Sequence, residues 1–270
     1  MKSSTTQGKG FKALLRLGGE CNNACVFCHS RGAHHRLPTL NSLQCRERIK
    51  VIAGLGAGTV VFSGGEPTVR SDIVALGRLA AEQGMGFGVI TNGRMFAYPD
   101  FARDMVAAGL CYALVSIHGA DAQTHDRLAG ATAFKQTVAG FANLAHHGVQ
   151  LTVNTVLTTG NMQSLRSIQA LVARYGPAFH KISMPEPKGA LLDCFELVPS
   201  PHQASRAVCD LLDAPPAQDV PMGFDGLAPC QFRGRLDLLD DFFTHGFRLV
   251  WEPHEARWFV PDHGNRSFHA

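Results

Sequence analysis

The sequence predicts an α/β fold: a partial (β/α)6 barrel of parallel strands with a small C-terminal extension. Three observations predict it. Short apolar strands alternate six times with amphipathic helices, the order that builds a parallel sheet with helices packed outside it. The strand segments are rich in Val, Ile and Leu, as strands covered on both faces require. A length of 270 residues with 45% hydrophobic content suits one large domain with a sizeable core. Six units are too few for the closed eight-unit barrel, so the expectation is a TIM-like barrel left incomplete.

The elements follow in order. Residues 1–12 are rich in Ser, Thr, Gly and Lys and read as a flexible N-terminus. The first strand is expected at Ala13–Leu17. Asn41 with Gln44 forms a capping box, and Cys45, Ile49 and Ile52 share one face of the helix behind it. A second strand covers Thr59–Phe62. Ser71 or Asp72 caps a helix running to about Gln83. The third strand, Gly86–Ile90, leads to a helix from Pro99 to Gly109, proline first and glycine last. Tyr112–Ile117 is the fourth strand. Phe134, Val138, Phe141 and Ala145 form the stripe of the next helix. Gln150–Leu157 is the fifth strand, and Asn161 caps the helix after it. His180–Met184 is the sixth strand, and Ser200–Leu212 the last helix of the core, taken as residues 13–213. Ala214–Pro221 is proline-rich and reads as a linker. Residues 222–270 hold one expected helix near Leu236–Phe243 and strand-like text at Phe247–Trp251 and Arg257–Val260. This part is expected to pack on the barrel.

Composition narrows the function. Charged residues make up 17%, with a net charge of +3. That leaves no concentrated basic face to argue for nucleic acid. No apolar run approaches the ~18 residues of a membrane span, and the N-terminus lacks the apolar segment of a secretory signal. The expected location is the cytoplasm. There the eight cysteines read as metal ligands, catalytic thiols or small core residues, not as disulfides.

The most informative stretch is Glu20–Ser30, which holds Cys21, Cys25 and Cys28 as C-x3-C-x2-C directly after the first strand. Three thiolates so close in sequence converge on a common metal group. Iron–sulfur clusters are usually held by four cysteines, so three leave one iron open to bind a small molecule. A structural zinc site is the alternative, with His29 or His34 as fourth ligand. Ser63–Pro67 reads SGGEP at the end of the second strand. Its glycines let backbone approach a ligand closely, and Glu66 offers a carboxylate to an ammonium group. Both loops sit at strand C-terminal ends, where barrel enzymes place their chemistry.

On these residues the sequence resembles the radical S-adenosylmethionine (SAM) superfamily over about residues 11–213. The resemblance rests on Cys21, Cys25 and Cys28, on Phe27 before the third cysteine, and on Gly64-Gly65-Glu66-Pro67. It implies a [4Fe–4S] cluster whose open iron is chelated by the amino and carboxylate groups of SAM. It further implies reductive cleavage of SAM to methionine and a 5′-deoxyadenosyl radical that abstracts a substrate hydrogen. An external electron donor such as flavodoxin or ferredoxin is implied with it. By the same resemblance, Gly64, Gly65 and Glu66 meet the methionine amino group and Phe27 lies near the adenine. Thr91, Asn92, Ser116 and Asn154 face SAM. Relatives that modify peptides carry S-x-D-G followed by H-D-x-x-R-G. Here His118 stands in place of the acid and Ala129 in place of the arginine, leaving Arg127, two residues early, for the carboxylate contact.

Other residues carry weaker signals. His118 is a candidate proton donor or substrate ligand. Cys230 is the candidate functional thiol outside the triad, whereas Cys45 and Cys111 read as small hydrophobes. Cys194, Cys209 and Cys230 are too scattered for an auxiliary cluster. Arg31, His34, His35 and Arg36 form a basic loop, and Lys181, Glu186 and Lys188 gather near the sixth strand. His254, Glu255, Asp262, His263 and His269 lie in a tail that fits no metal spacing but could close the barrel's open side. The expected function is hydrogen abstraction from a small polar metabolite such as a sugar or nucleoside. Modification of a ribosomal peptide and a non-catalytic Fe–S or zinc module are the alternatives, and RNA is disfavoured by charge.

Overall fold

The computed structural model describes residues 10–31, 38–213, 220–227, 236–239, 247–253 and 256–259. Six parallel strands form its centre: β1 (Lys12–Arg16), β2 (Thr59–Ser63), β3 (Gly86–Thr91), β4 (Leu110–Ser116), β5 (Gln150–Val156) and β6 (Phe179–Ser183). Each pairs with the next in parallel register. Seven helices connect or flank them: α1 (Ser42–Gly54), α2 (Ile73–Glu82), α3 (Pro99–Ala107), α4 (Ala122–Ala129), α5 (Phe134–His146), α6 (Leu165–Ala173) and α7 (Pro201–Leu212).

The sheet runs beyond the six expected strands on both sides. β7 (Met222–Asp225) adds in parallel to β6, and β8 (Phe247–Glu252) adds in parallel to β1, carrying β9 (Arg257–Phe259) antiparallel at the edge. The order is β7-β6-β5-β4-β3-β2-β1-β8-β9, an open sheet. β7 was not legible because its four residues, MGFD, are too short to show a period. The expected helix near Leu236–Phe243 is a single 3-10 turn at Leu236–Leu238 where it is described.

Most helix signals act as expected. Asn41 and Ser200 each close a capping box, with Gln44 and Gln203. Two do not. Asp72 stands at the N-cap of α2, but its carboxylate binds Arg70 and Ser42 instead of the helix amides. Asn161 does not cap α6. Its amide turns back to bridge the ends of β4 and β5, as described below. α4 was missed, although Asp121 caps it and Gly130, at φ 61°, ends it. Its eight residues carry too few apolar positions to announce a helix.

The main core lies between the sheet and the outer helices. Leu15, Phe62, Phe87, Val89, Ile49, Leu76 and Phe141 are all buried there. Cys45 is wholly buried in it. A smaller cluster, Leu14, Val61, Tyr112, Leu114, Phe247 and Val250, fills the concave side of the sheet. Parallel strands packed this way point all their C-terminal ends in one direction, and the candidate site is built there.

Candidate active site

The three cysteines sit on a loop that four other segments grip. From the β2 side, the Gly65 and Glu66 amides donate to the carbonyls of Gly18 and Glu20, both at 2.7 Å. A Cβ on Gly65 would stand 2.2 Å from the Glu20 carbonyl oxygen, so only glycine fits. From α4, the Ala129 and Leu128 carbonyls accept from the amides of Ala24 and Val26. From the turn after β6, the Ala190 amide donates to the Cys28 carbonyl. From the β3 end, Asn92 Nδ2 donates to Asn22 Oδ1 at 2.7 Å. Arg94 Nη1 donates to the Asn22 carbonyl and, at 3.0 Å, to Asn23 Oδ1, while its Nε donates to Gln136 Oε1. Arg94 and Asn22 were not singled out from the sequence. Their signal was an arginine directly after the T-N-G turn of β3.

Cys21, Cys25 and Cys28 all line one cavity of about 930 Å³, in the range of a small-molecule site. Burial pushes the Cys25 thiol up to about 12, and raises Cys21 and Cys28 as well. Thiols so placed ionise when a cation draws the proton off, as metal binding does. Among the described residues no three His, Cys, Asp or Glu side chains are arranged to hold a single metal ion. A zinc ion needs its ligands within about 2.3 Å of one point. An iron–sulfur cluster gives each thiolate its own iron, which suits three cysteines around one cavity.

Glu66 is almost fully buried, yet it reaches the same cavity. Its Oε1 accepts from the Thr68 amide, Thr68 Oγ1 and Thr91 Oγ1, and its Oε2 from the Asn92 amide at 2.6 Å. Burial raises its pKa, opposed by these hydrogen bonds. Oε1 is saturated, so only Oε2 keeps room for an ammonium donor. Thr91 and Asn92 line the cavity but act on protein: Thr91 holds Glu66, and the Asn92 side chain holds Asn22. Ser116 and Asn154 face each other across β4 and β5 in the cavity wall, and Ser183 Oγ donates to Asn154 Oδ1 at 3.1 Å. Lys181, on β6, pairs with Asp225 on β7 at 2.7 Å.

Phe27 is buried with Leu128 and Leu191 and meets the His118 ring edge-on, centroids 4.7 Å apart. Asn161 Nδ2 fixes the His118 backbone by donating to its carbonyl. Burial holds His118 neutral, its pKa pushed down to about 3. The neutral ring reaches the cavity. The expectation for Arg127 is corrected. It is not among the cavity-lining residues, and its guanidinium donates to the Gly160 carbonyl at 2.9 Å. Arg31 and Glu186 reach the cavity, whereas Lys188 pairs with Glu186 at 2.5 Å. Cys230, His34, His35, Arg36 and the expected tail histidines lie outside the described residues.

The model of the Radical SAM superfamily matches residues 15–172, which span the cysteine loop, the SGGEP turn and β1 to β5. The chain belongs to the radical SAM superfamily. That family assignment carries the enzyme class and its two cofactors, a [4Fe–4S] cluster and SAM. Mycofactocin maturase MftC of Mycolicibacterium smegmatis is 30% identical over 195 residues, 72% of this chain and 49% of that protein. AdoMet-dependent heme synthase of Nitratidesulfovibrio vulgaris is 29% identical over 171 residues, 63% of this chain and 46% of that protein. The chain thus spans about half the length of these radical SAM relatives. Streptococcus suis SuiB bound to S-adenosylmethionine superposes with a TM-score of 0.64 at 13% identity, covering 89% of this chain and 58% of SuiB. Among the described residues no helix is long and apolar enough to cross a membrane.

Proposed function

We propose that this radical SAM protein cleaves SAM reductively and abstracts a hydrogen atom from a small polar substrate, sugar-like or nucleoside-like, lying over the strand ends. One observation carries the reading: three cysteines, the SGGEP turn and the ends of β3 to β6 meet on a single cavity. Cys21, Cys25 and Cys28 are the ligands for the cluster. When bound, the cluster and SAM supply a 5′-deoxyadenosyl radical. The chain does the rest. Glu66 Oε2 accepts from the amino group of SAM. Arg94 and Asn92 fix the loop that carries the thiolates. Phe27 and Val156, which line the cavity, keep the reacting side dry, and this protects a radical from solvent. Ser116 and Asn154 face SAM, and Ser183 with the Lys181–Asp225 pair forms the polar wall that orients the substrate. The electron comes from an external donor such as flavodoxin or ferredoxin.

The test is anaerobic. The protein is reconstituted with iron and sulfide, given SAM and dithionite, and assayed for 5′-deoxyadenosine beside a Cys21→Ala/Cys25→Ala/Cys28→Ala variant. Product from the wild type alone supports the reading. A fully loaded protein that gives none, and whose spectrum ignores SAM, defeats it in favour of a non-catalytic cluster module. A ribosomal peptide is the second substrate reading. It draws on the maturase relative and on the superposition, TM-score 0.63, with SuiB bound to precursor peptide SuiA. A panel of sugars, nucleosides and short peptides separates the two by which class raises the yield of 5′-deoxyadenosine.

A further inference from the structure

Among the described residues three histidines are buried, and they differ in one respect. His180 has both ring nitrogens engaged, by Gln169 and Thr155, and sits in the core as a packing residue. His118 and His125 each have one nitrogen engaged and line the cavity. His118 Nδ1 accepts from the Val156 amide at 3.3 Å, and His125 Nδ1 accepts from the His118 amide at 3.1 Å. A backbone amide only donates. Neither Nδ1 therefore carries hydrogen, and each neutral ring is locked with its proton on Nε2. His125 Nε2 is fully buried with no hydrogen-bond partner, and no partner within the described residues meets His118 Nε2. The two rings stack, centroids 5.9 Å apart and 9° from parallel, with Phe27 against the first and Phe134 against the second. A donor left unpaired in protein is costly, and the one that faces the cavity, His118 Nε2–H, is open to a ligand acceptor.

We propose that His118 is a donor in ligand recognition: its Nε2–H binds an uncharged or anionic acceptor atom of the cavity's ligand, while the stacked His125 ring, its own Nε2 closed off, holds the His118 amide in place. It rests on the reading of this cavity as the ligand site. His118 Nε2–H rejects ammonium groups, which have no lone pair to offer. It selects a ligand rich in hydroxyl, carbonyl or carboxylate oxygen, or in ring nitrogen. The nucleoside of SAM and the substrate share this chemistry.

The test labels the histidine rings of the cluster-loaded protein with 15N and assigns the two residues by substitution. His118→Asn keeps an acceptor where Nδ1 stands and removes the cavity donor, and His118→Gln places a donor near Nε2. The first expected result is that both rings are Nε2–H tautomers. SAM is then titrated, followed by acetate and N-methylacetamide on the SAM-loaded protein, with tetramethylammonium as the control. A shift of His118 Nε2 with SAM assigns the acceptor to the nucleoside, and His118→Asn then weakens SAM binding about threefold to tenfold, restored by His118→Gln. A shift only with acetate or N-methylacetamide assigns the acceptor to the substrate. No shift with any of the three, or an Nδ1–H tautomer, overturns the proposal. The readout needs no turnover. SAM cleavage without a histidine shift defeats this inference alone, and a histidine shift without cleavage defeats the proposed reaction alone.

Discussion

Arg94 ties the cysteine loop to the end of β3. It reaches the loop between Cys21 and Cys25 twice while Gln136 holds it from behind. Hydrogen bonds from a charged donor are worth about 1.5–3 kcal/mol each. Lysine cannot reproduce the fork. Arg94→Lys is therefore expected to lower the melting temperature by several degrees and to reduce iron bound after reconstitution to about half or less. Wild-type iron content in that variant would refute the role. Glu66 carries a related expectation. In Glu66→Gln the side-chain amide must put a donor toward the Asn92 amide or toward the threonine donors, and either choice leaves a buried N–H facing another. A loss of about 1–3 kcal/mol in unfolding free energy is expected by denaturant titration. Cys45, wholly buried, is the contrast: Cys45→Ala should leave iron content unchanged and cost stability only through the small cavity it opens.

At the scale of elements, the cysteine loop has no regular structure of its own. It borrows rigidity from β2, β3, α4 and the turn after β6. The α4 end shows how tightly. Gly130 is left-handed at φ 61°, and a Cβ there would stand 2.3 Å from the Ala24 carbonyl oxygen. Gly130→Ala thus meets both a strained backbone and a clash with the loop. It is expected to cost about 2 kcal/mol or more and to reduce iron loading together with stability. Asp121→Ala removes only the cap of the same helix, costs about 1 kcal/mol and should leave the loop's metal capacity intact. Comparing the two by thermal melt and iron content separates the helix from its grip on the loop. α4 also carries His125 to the cavity, and that is why a short polar helix, poor in sequence signal, matters to the site.

For the whole molecule, the buried histidines set the response to acid. Burial holds His118, His125 and His180 at about 3, 4 and 3. Unfolded, each takes up a proton near pH 6.5. Between that pH and about 4 the unfolded chain binds more protons, so the stability these groups contribute above pH 6.5 is lost as pH falls. Burial raises Glu66, which works in the opposite direction over the same range. Three histidines outweigh one carboxylate. Lowering pH from 6.5 to 5.5 is expected to cost up to about 3 kcal/mol, read as a fall in thermal midpoint of several degrees. A flat profile over that range would contradict the buried, neutral state of these rings.

The same scale shows how much was legible beforehand. The alternation of apolar strands and striped helices determined the α/β class, the parallel order of β1 to β6 and the end of the sheet where chemistry sits. Close spacing made Cys21, Cys25, Cys28 and SGGEP readable, since residues a few positions apart in one loop must lie together in space. Long-range partners were not readable. That Arg94 holds Asn22, that Asn161 bridges two strand ends, that Arg127 turns to Gly160 and that β8 returns to β1 are settled by which surfaces pack after folding. His118 was visible as a candidate, but the tautomer of its ring turns on one backbone amide, that of Val156, which lies on the next strand. Local pattern carries periodicity and spacing. Only tertiary structure decides burial and hydrogen-bond partners, and these set which side chains remain available to a ligand.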